Sequence, residues 1–486
     1  MIKTAILSPS CWGIPPEAID GLSDRLFDFW FRYHENFKTK TRDTSEYAQG
    51  YLSGQLRMEG NRNYANIGRK TGISEQNMQH FMSNSPWEGS KVIEQVKREI
   101  KETPGLERGG YLLLDESGDE KSGEKSAGSG RQYIGRFGKV DIGQVGTFVA
   151  YANLTCEVPI WTWIDAELYF PKHWFDEDMK GERKRLGVPE DLKFQTKIEL
   201  GWKMIERIYL SGFPFEMVCF DALYGNSSWL RFQMRHNNLL YMADISRDTP
   251  VYLNKPVLGV SEERKDGNLP KVQVLSTEKP VKVCDLIAQS DFQVVDVRNT
   301  ERGVLSNPFS VRRVWTVDKE RGETTEEWLV IRQESENKYS YSLSNESPET
   351  SIERLAFGKC QRYFVERANQ EAKSRVGWDE FQAQKYRGWQ HQTVFCILSC
   401  WFLSETKLDW TRKYPQDPEL LQVFETDVLP CLSHGNIQEL LRSVMPLPQL
   451  TTEESRNLVV KHLINRTRSR KSRMEKEKRK PRMPYP

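Results

Sequence analysis

At 486 residues, with 38% hydrophobic and 28% charged side chains, the chain is long enough for several domains, and its composition excludes a disordered or fibrous protein. The formal net charge of +2 conceals a segregation, because residues 461–486 hold eleven Lys or Arg against two Glu and leave −7 on the remainder. A basic terminus on an acidic body is the footprint expected for a polyanion partner.

The eight cysteines form no C-x-x-C pair and the seven histidines no H-x3-H pattern, so no zinc site is expected. Cys396 and Cys400 stand one helical turn apart in an apolar run and read as core. The N-terminus lacks a basic stretch followed by an apolar one, and the run from Thr393 to Leu403 is too short to cross a bilayer. These features predict a cytoplasmic, reduced protein without membrane contact.

Residues 1–104 read as a helical DNA-binding region. Within it, residues 63–82 have the cadence of a helix-turn-helix. The first helix ends near Lys70, Gly72 makes the turn and Ser74 caps the second helix. Gln76, Asn77 and Gln79 then face outward, and amide side chains of this kind suit adenine edges.

From residue 105 to 249 the pattern turns to strands. Tyr111-Leu-Leu-Leu-Asp115 is an apolar run ending in an acid, and residues 144–154 and 159–170 are β-branched and aromatic. A helix follows over residues 193–211, with Leu200, Met204, Ile205 and Ile208 on one face. Phe215-Glu-Met-Val-Cys-Phe-Asp221 is a second strand ending in an acid, followed by a helix over 227–236 and a strand over 239–245. This order predicts an α/β fold whose mixed sheet is antiparallel early and parallel late.

Residues 250–347 form a β-rich insert, with strands at Arg313–Val317, Glu327–Ile331 and Lys338–Leu343. Residues 348–405 return to the core, with Thr350 and Glu353 as a capping box, an interruption at Gly358 and a helix from Lys359 to Val376 ended by Gly377. Residues 406–465 form a helical C-terminal region and 466–486 a basic tail.

Two strands that end in Asp115 and Asp221, with a helical acid far downstream, suit metal-assisted phosphoryl transfer. Mg²⁺ prefers oxygen ligands and is commonly held by a few carboxylates plus phosphate oxygens. The flanks are specific. Asp115 leads into a Gly-rich hairpin bearing Lys125 and Arg131, Asp221 stands in Phe220-Asp-Ala-Leu-Tyr-Gly225, and Phe364-x2-Arg367-x3-Glu371 forms a helical signature.

Together these motifs resemble the DDE transposases of bacterial insertion sequences, in the branch with a β-rich insert before the last Glu. The resemblance covers roughly residues 105–405, with 106 positions from Asp115 to Asp221 and 150 from there to Glu371. It implies an RNase H-like core shared with retroviral integrases, and Asp115, Asp221 and Glu371 as catalytic, metal-binding carboxylates. Two Mg²⁺ ions, replaceable by Mn²⁺, would be the cofactor, with Asp115 bridging both.

The implied reaction is hydrolysis at a transposon end, followed by attack of the freed 3′-hydroxyl on target DNA. The implied partners are double-stranded terminal inverted repeats and target DNA, bound by a dimer, with the protein on the nucleoid while bound. Arg367 and Lys373 would meet DNA near the site, and Trp315 and Trp328 would stack on an unpaired base. The family signature reads Tyr-x2-Arg-x3-Glu-x6-Lys, whereas Phe364 and Trp378 stand at the Tyr and Lys positions of this register. Two other readings share the acids: an RNase H-like nuclease that does not transpose, and an inactive DNA-binding derivative.

Overall fold

Tyr111-Leu-Leu-Leu114, buried throughout, opens the first strand of the sheet, and its lack of polar alternation already marks a strand covered on both faces. In the computed structural model, which describes residues 15–121, 123–135, 138–156, 158–260, 272–300, 303–415, 432–449 and 451–479, this strand is β1 (Gly110–Glu120). β2 (Gly130–Ile134), β3 (Lys139–Asn153) and β4 (Ile160–Tyr169) follow by antiparallel pairing. β5 (Met217–Phe220) then joins β1, and β6 (Tyr241–Ile245) joins β5, both in parallel.

The insert strands are β7 (Gln293–Thr300), β8 (Gly303–Asp318), β9 (Glu323–Ser335) and β10 (Lys338–Ser344). They do not form a sheet of their own. β10 pairs antiparallel with β6, Tyr341 opposite Ile245, so the sheet runs β7-β8-β9-β10-β6-β5-β1-β3-β2 with β4 also on β3. The segment β4-β3-β1-β5-β6, antiparallel then parallel, is the expected RNase H-like core.

The helices of the N-terminal region are α1 (Leu22–Tyr33), α2 (Ser45–Arg57), α3 (Tyr64–Thr71), α4 (Glu75–Ser83) and α5 (Gly89–Glu102). α3 and α4 form the expected helix-turn-helix. Asn63 caps α3 by accepting from the Asn66 amide, Gly72 turns at φ +77°, and Ser74 caps α4 through the Asn77 amide. Gln76, Asn77 and Gln79 are all exposed.

Next come α6 (Lys197–Leu210), capped by a Thr196–Glu199 box, and α7 (Ser228–His236). α8 (Ile352–Gln361), α9 (Tyr363–Ser374), α10 (Tyr386–Lys413) and α11 (His434–Val444) complete the body. The apolar run at Thr393–Leu403 lies in α10, which is buried nearly all round because β4, α2, α4, α5 and α11 pack against it. Among the described residues no helix is long and apolar enough to cross a membrane.

Three local expectations change around α8 and α9. The cap is Ser351, whose side chain accepts from the Arg354 amide, in place of a Thr350–Glu353 box. Gly358 does not interrupt α8; it lets the helix approach β5, where a Cβ would stand 3.2 Å from Met217 Sδ. The single helix expected over 359–376 is divided at Arg362, between α8 and α9.

The chain divides into two compact units, residues 1–445 and 446–486. The second holds one helix, Thr452–Arg479, with Val459, Val460, Leu463 and Ile464 exposed. Residues 480–486 of the basic tail lie outside the described residues.

Candidate active site

Side chains alternate along a strand, so Leu114 and Asp115 leave β1 on opposite faces. Leu114 packs toward Gly201 of α6, whereas Asp115 points to α9, where Asn369 Nδ2 donates to its Oδ2 at 3.2 Å. The amide of Glu116 donates to its other oxygen at 2.8 Å. Asn369 is oriented in turn by Trp163, whose Nε1 donates to Asn369 Oδ1 at 2.9 Å. Asp221, one residue beyond β5, caps the short helix Ala222–Gly225 by accepting from the amides of Leu223 and Tyr224 through Oδ1.

Both aspartates line one cleft of about 870 Å³, together with Glu116, Glu366, Asn369, Lys373 and Asp379. Burial, reinforced by Asp221 and Glu116, pushes Asp115 up to about 7. Burial, reinforced by Glu116, raises Asp221 as well. The cleft thus gathers negative charge without enough positive charge to match it. Hard carboxylate oxygens under that tension suit a divalent cation of the Mg²⁺ type. Among the described residues, no three His, Cys, Asp or Glu side chains stand close enough to share one ion.

The two candidate glutamates of α9 occupy different environments. Glu366 lines the cleft with the aspartates, and its Oε1 accepts from Arg362 at 2.9 Å. Glu371 does not line it. It is 9% exposed and accepts from Trp161 Nε1 at 2.9 Å, lies 2.6 Å from His434 Nδ1 of α11, and sits 3.5 Å from Arg367. Burial opposes its charge, yet His434, Trp161 and Arg367 hold its carboxyl below the usual carboxylate range. Five residues of helix turn the two side chains roughly 140° apart, so one pocket cannot take both.

The helical signature fits a second register. Arg362-x3-Glu366-x6-Lys373 keeps the family spacing, with Lys359 at the Tyr position. Lys373 lines the cleft and donates to Gly118 O at 3.0 Å. In the first register Phe364 and Trp378 are buried and give DNA no surface. Arg367 bonds Gln370 and lies over the Trp161 ring, outside the cleft lining. The repeat of an Arg-x3-Glu spacing five residues apart, together with Lys373, is the signal that singles out Glu366.

The remaining candidates are dispersed. Lys125 and Arg131 are exposed on the hairpin after β1, and neither lines the cleft. Trp315 and Trp328 are partly buried on neighbouring strands β8 and β9; Lys255 lies over the first ring, and Arg313 over the second. Trp328 also donates to Ser347 O at 2.9 Å.

Residues 32–304 match the family model of the DDE superfamily endonucleases, a span that includes both aspartates and ends before α9. The chain is also 25% identical over 321 residues, 64% of its length and 70% of the relative's, to the probable transposase for insertion sequence element IS701 of Microchaete diplosiphon. With more than half of its length matched, the chain belongs to the DDE superfamily endonucleases.

Proposed function

We propose that the protein is an insertion-sequence transposase that cuts DNA at transposon ends and joins the freed 3′ ends to target DNA. Asp115, Asp221 and Glu366 are its catalytic carboxylates and would hold two Mg²⁺ ions, or Mn²⁺ in their place. The observation that carries this reading is the single cleft lined by these three acids and Lys373. The kinship with a probable insertion-sequence transposase supports the choice of reaction.

Divalent ions bound there would activate the attacking oxygen and stabilise the leaving one. The chain's own part is orientation. Trp163 and Asn369 fix the Asp115 carboxylate, and the helix end at Ala222 fixes Asp221, so neither acid spends ordering entropy at the reacting phosphate. Lys373, at the cleft wall, supplies a cation to the incoming backbone phosphate.

Gln76, Asn77 and Gln79 of α4 would read base edges in the terminal repeat, and Lys125 and Arg131 would contact backbone phosphates. Trp315 and Trp328 are the candidates for stacking on an unpaired base. A dimer on paired DNA ends is the working assembly.

The test is cleavage of DNA carrying the inverted repeats that flank the reading frame, with Mg²⁺ or Mn²⁺. Nicks at the repeat boundary and strand-transfer products are expected, both absent in Asp115→Ala and Asp221→Ala. Cleavage without joined products would instead favour a nuclease that does not transpose, and cleavage in excess chelator would overturn the metal site.

A further inference from the structure

A third strand, β6, carries an acid, Asp244, one residue before its end at Ile245. β6 lies next to β5 with Ala243 opposite Phe220, so Asp244 neighbours Asp221. Its surroundings are the reverse of those of the two cleft aspartates. Lys359 Nζ stands 2.8 Å from Asp244 Oδ1 and also donates to Ser342 Oγ at 2.7 Å. Arg362 Nε stands 3.0 Å from Asp244 Oδ2. Burial works against the charge of Asp244, but these cations and Ser342 hold its carboxyl below the usual range.

Arg362 sits at the break between α8 and α9, and its guanidinium faces two ways. Nε is held by Asp244, while Nη2 reaches Glu366 Oε1 at 2.9 Å. Asp244, Glu366, Asp115 and Asp221 are all close enough to favour its charge. In the position where Arg362 holds it, Glu366 does not complete a three-carboxylate cluster with the two aspartates.

We propose that Arg362 is a latch. Its guanidinium is the resident counter-ion of the acidic cleft and ties down Glu366, and Asp244 is the positioning residue that keeps it there. Glu366 would exchange Arg362 for a divalent ion shared with Asp115 and Asp221, and Arg362, still held by Asp244, would have N–H groups free for a backbone phosphate. A bidentate guanidinium suits both roles, because its fork can exchange a carboxylate for a phosphate without leaving its anchor. The latch rests on the reading of Glu366 as the third carboxylate.

The experiment measures Mn²⁺ binding to the full chain without DNA, by calorimetry and by the spectroscopic signal of free Mn²⁺. Arg362→Gln is expected to bind Mn²⁺ about tenfold tighter, the equivalent of one charge-assisted hydrogen bond no longer broken on loading. Arg362→Lys, which cannot bridge two carboxylates in the same plane, should fall between. Removing any nearby cation strengthens cation binding through space, so the cycle is repeated in a Glu366→Gln background, where Asp115 and Asp221 still bind the ion more weakly.

If Arg362 acts by holding Glu366, most of the gain disappears in that background. A gain that persists there, or no gain in the single variant, overturns the latch. Glu366→Gln that binds Mn²⁺ like the unaltered protein overturns the third-carboxylate reading instead. Circular dichroism and melting of each variant exclude misfolding. Asp244→Asn should mimic Arg362→Gln in direction, and Ser342→Ala, which leaves Arg362 on Asp244, should not.

Discussion

Leu114 and Phe220 are register partners on neighbouring parallel strands, so the next residue of each, Asp115 and Asp221, emerges side by side where β5 ends, although β1 does not end at Asp115 and runs on to Glu120. A parallel pair needs a crossover connection between its strands, and here it is a long one, with 106 positions from Asp115 to Asp221. The backbone thus fixes how far apart the two carboxylates stand, and α9 brings Glu366 to the same cleft.

The environments of the two glutamates on α9 predict opposite phenotypes. Glu366→Gln should abolish DNA cleavage with little change in melting temperature, since its carboxylate is on the cleft wall. Glu371→Gln should keep measurable cleavage but lose about 1–3 kcal/mol of stability, because it weakens a buried carboxylate with three partners. Cleavage kinetics and thermal melts on the same preparations check both, and the reverse pattern would return the catalytic role to Glu371.

His391 predicts where acid weakens the body of the protein. Burial pushes its imidazole down to about 3, where it stacks on Trp87 at 3.6 Å and faces the carbonyls of Met82 and Trp87. The folded state therefore binds its proton less readily than the unfolded chain, whose imidazole titrates near ~6.5. The contribution is fully present above that value and is lost as pH falls from it toward about 3. His391→Gln should flatten the stability–pH curve over this window by a few kcal/mol, about the 1.4 kcal/mol per unit that linkage gives. Urea melts at several pH values measure it.

Gly225 leaves no room for a side chain. A Cβ there would lie 1.9 Å from the Asp244 carbonyl oxygen, so Gly225→Ala must push β6 away from the Asp221 turn. A loss of about 1–3 kcal/mol is expected, together with lower Mn²⁺ affinity, as the turn that carries Asp221 is displaced from Asp115. Melting and metal titration of the variant give both readouts.

The basic tail predicts salt dependence. Deleting residues 466–486 removes ten Lys or Arg and two Glu. Every phosphate that the shortened chain no longer neutralises lowers the slope of log affinity against log salt by ~0.9 on duplex DNA. Non-specific binding should weaken and its slope become shallower; titrations at four salt concentrations test this, and an unchanged slope means the tail does not reach DNA.

Local chemistry made much of the scaffold legible from the chain alone. Asn63, Gly72 and Ser74 specify the helix-turn-helix through caps and a left-handed turn, all within a few residues. The apolar runs ending at Asp115 and Asp221 likewise carry their own signal. What is not local is not legible. Trp161 and His434, which bury Glu371, lie 210 and 63 residues away, so its burial cannot be read from the chain, although the spacing to Lys373 sets Glu366 apart from it. Asn369, Asp244 and the joining of the insert strands to the main sheet depend on equally distant partners.

The pairing of β6 with β10 has a consequence for how such a chain can change. Met242 lies opposite Ser344 and Ile245 opposite Tyr341, so the long excursion leaves and re-enters the body at adjacent rungs of one ladder. Those rungs act as a socket. What hangs from it is nevertheless coupled to the body, because α8 packs against β7, β8 and β9 as well as β5, and Arg298 of β7 lies over the Tyr363 and Phe364 rings of α9. A change of length or sequence in the excursion is therefore felt at the helix pair that carries Arg362 and Glu366.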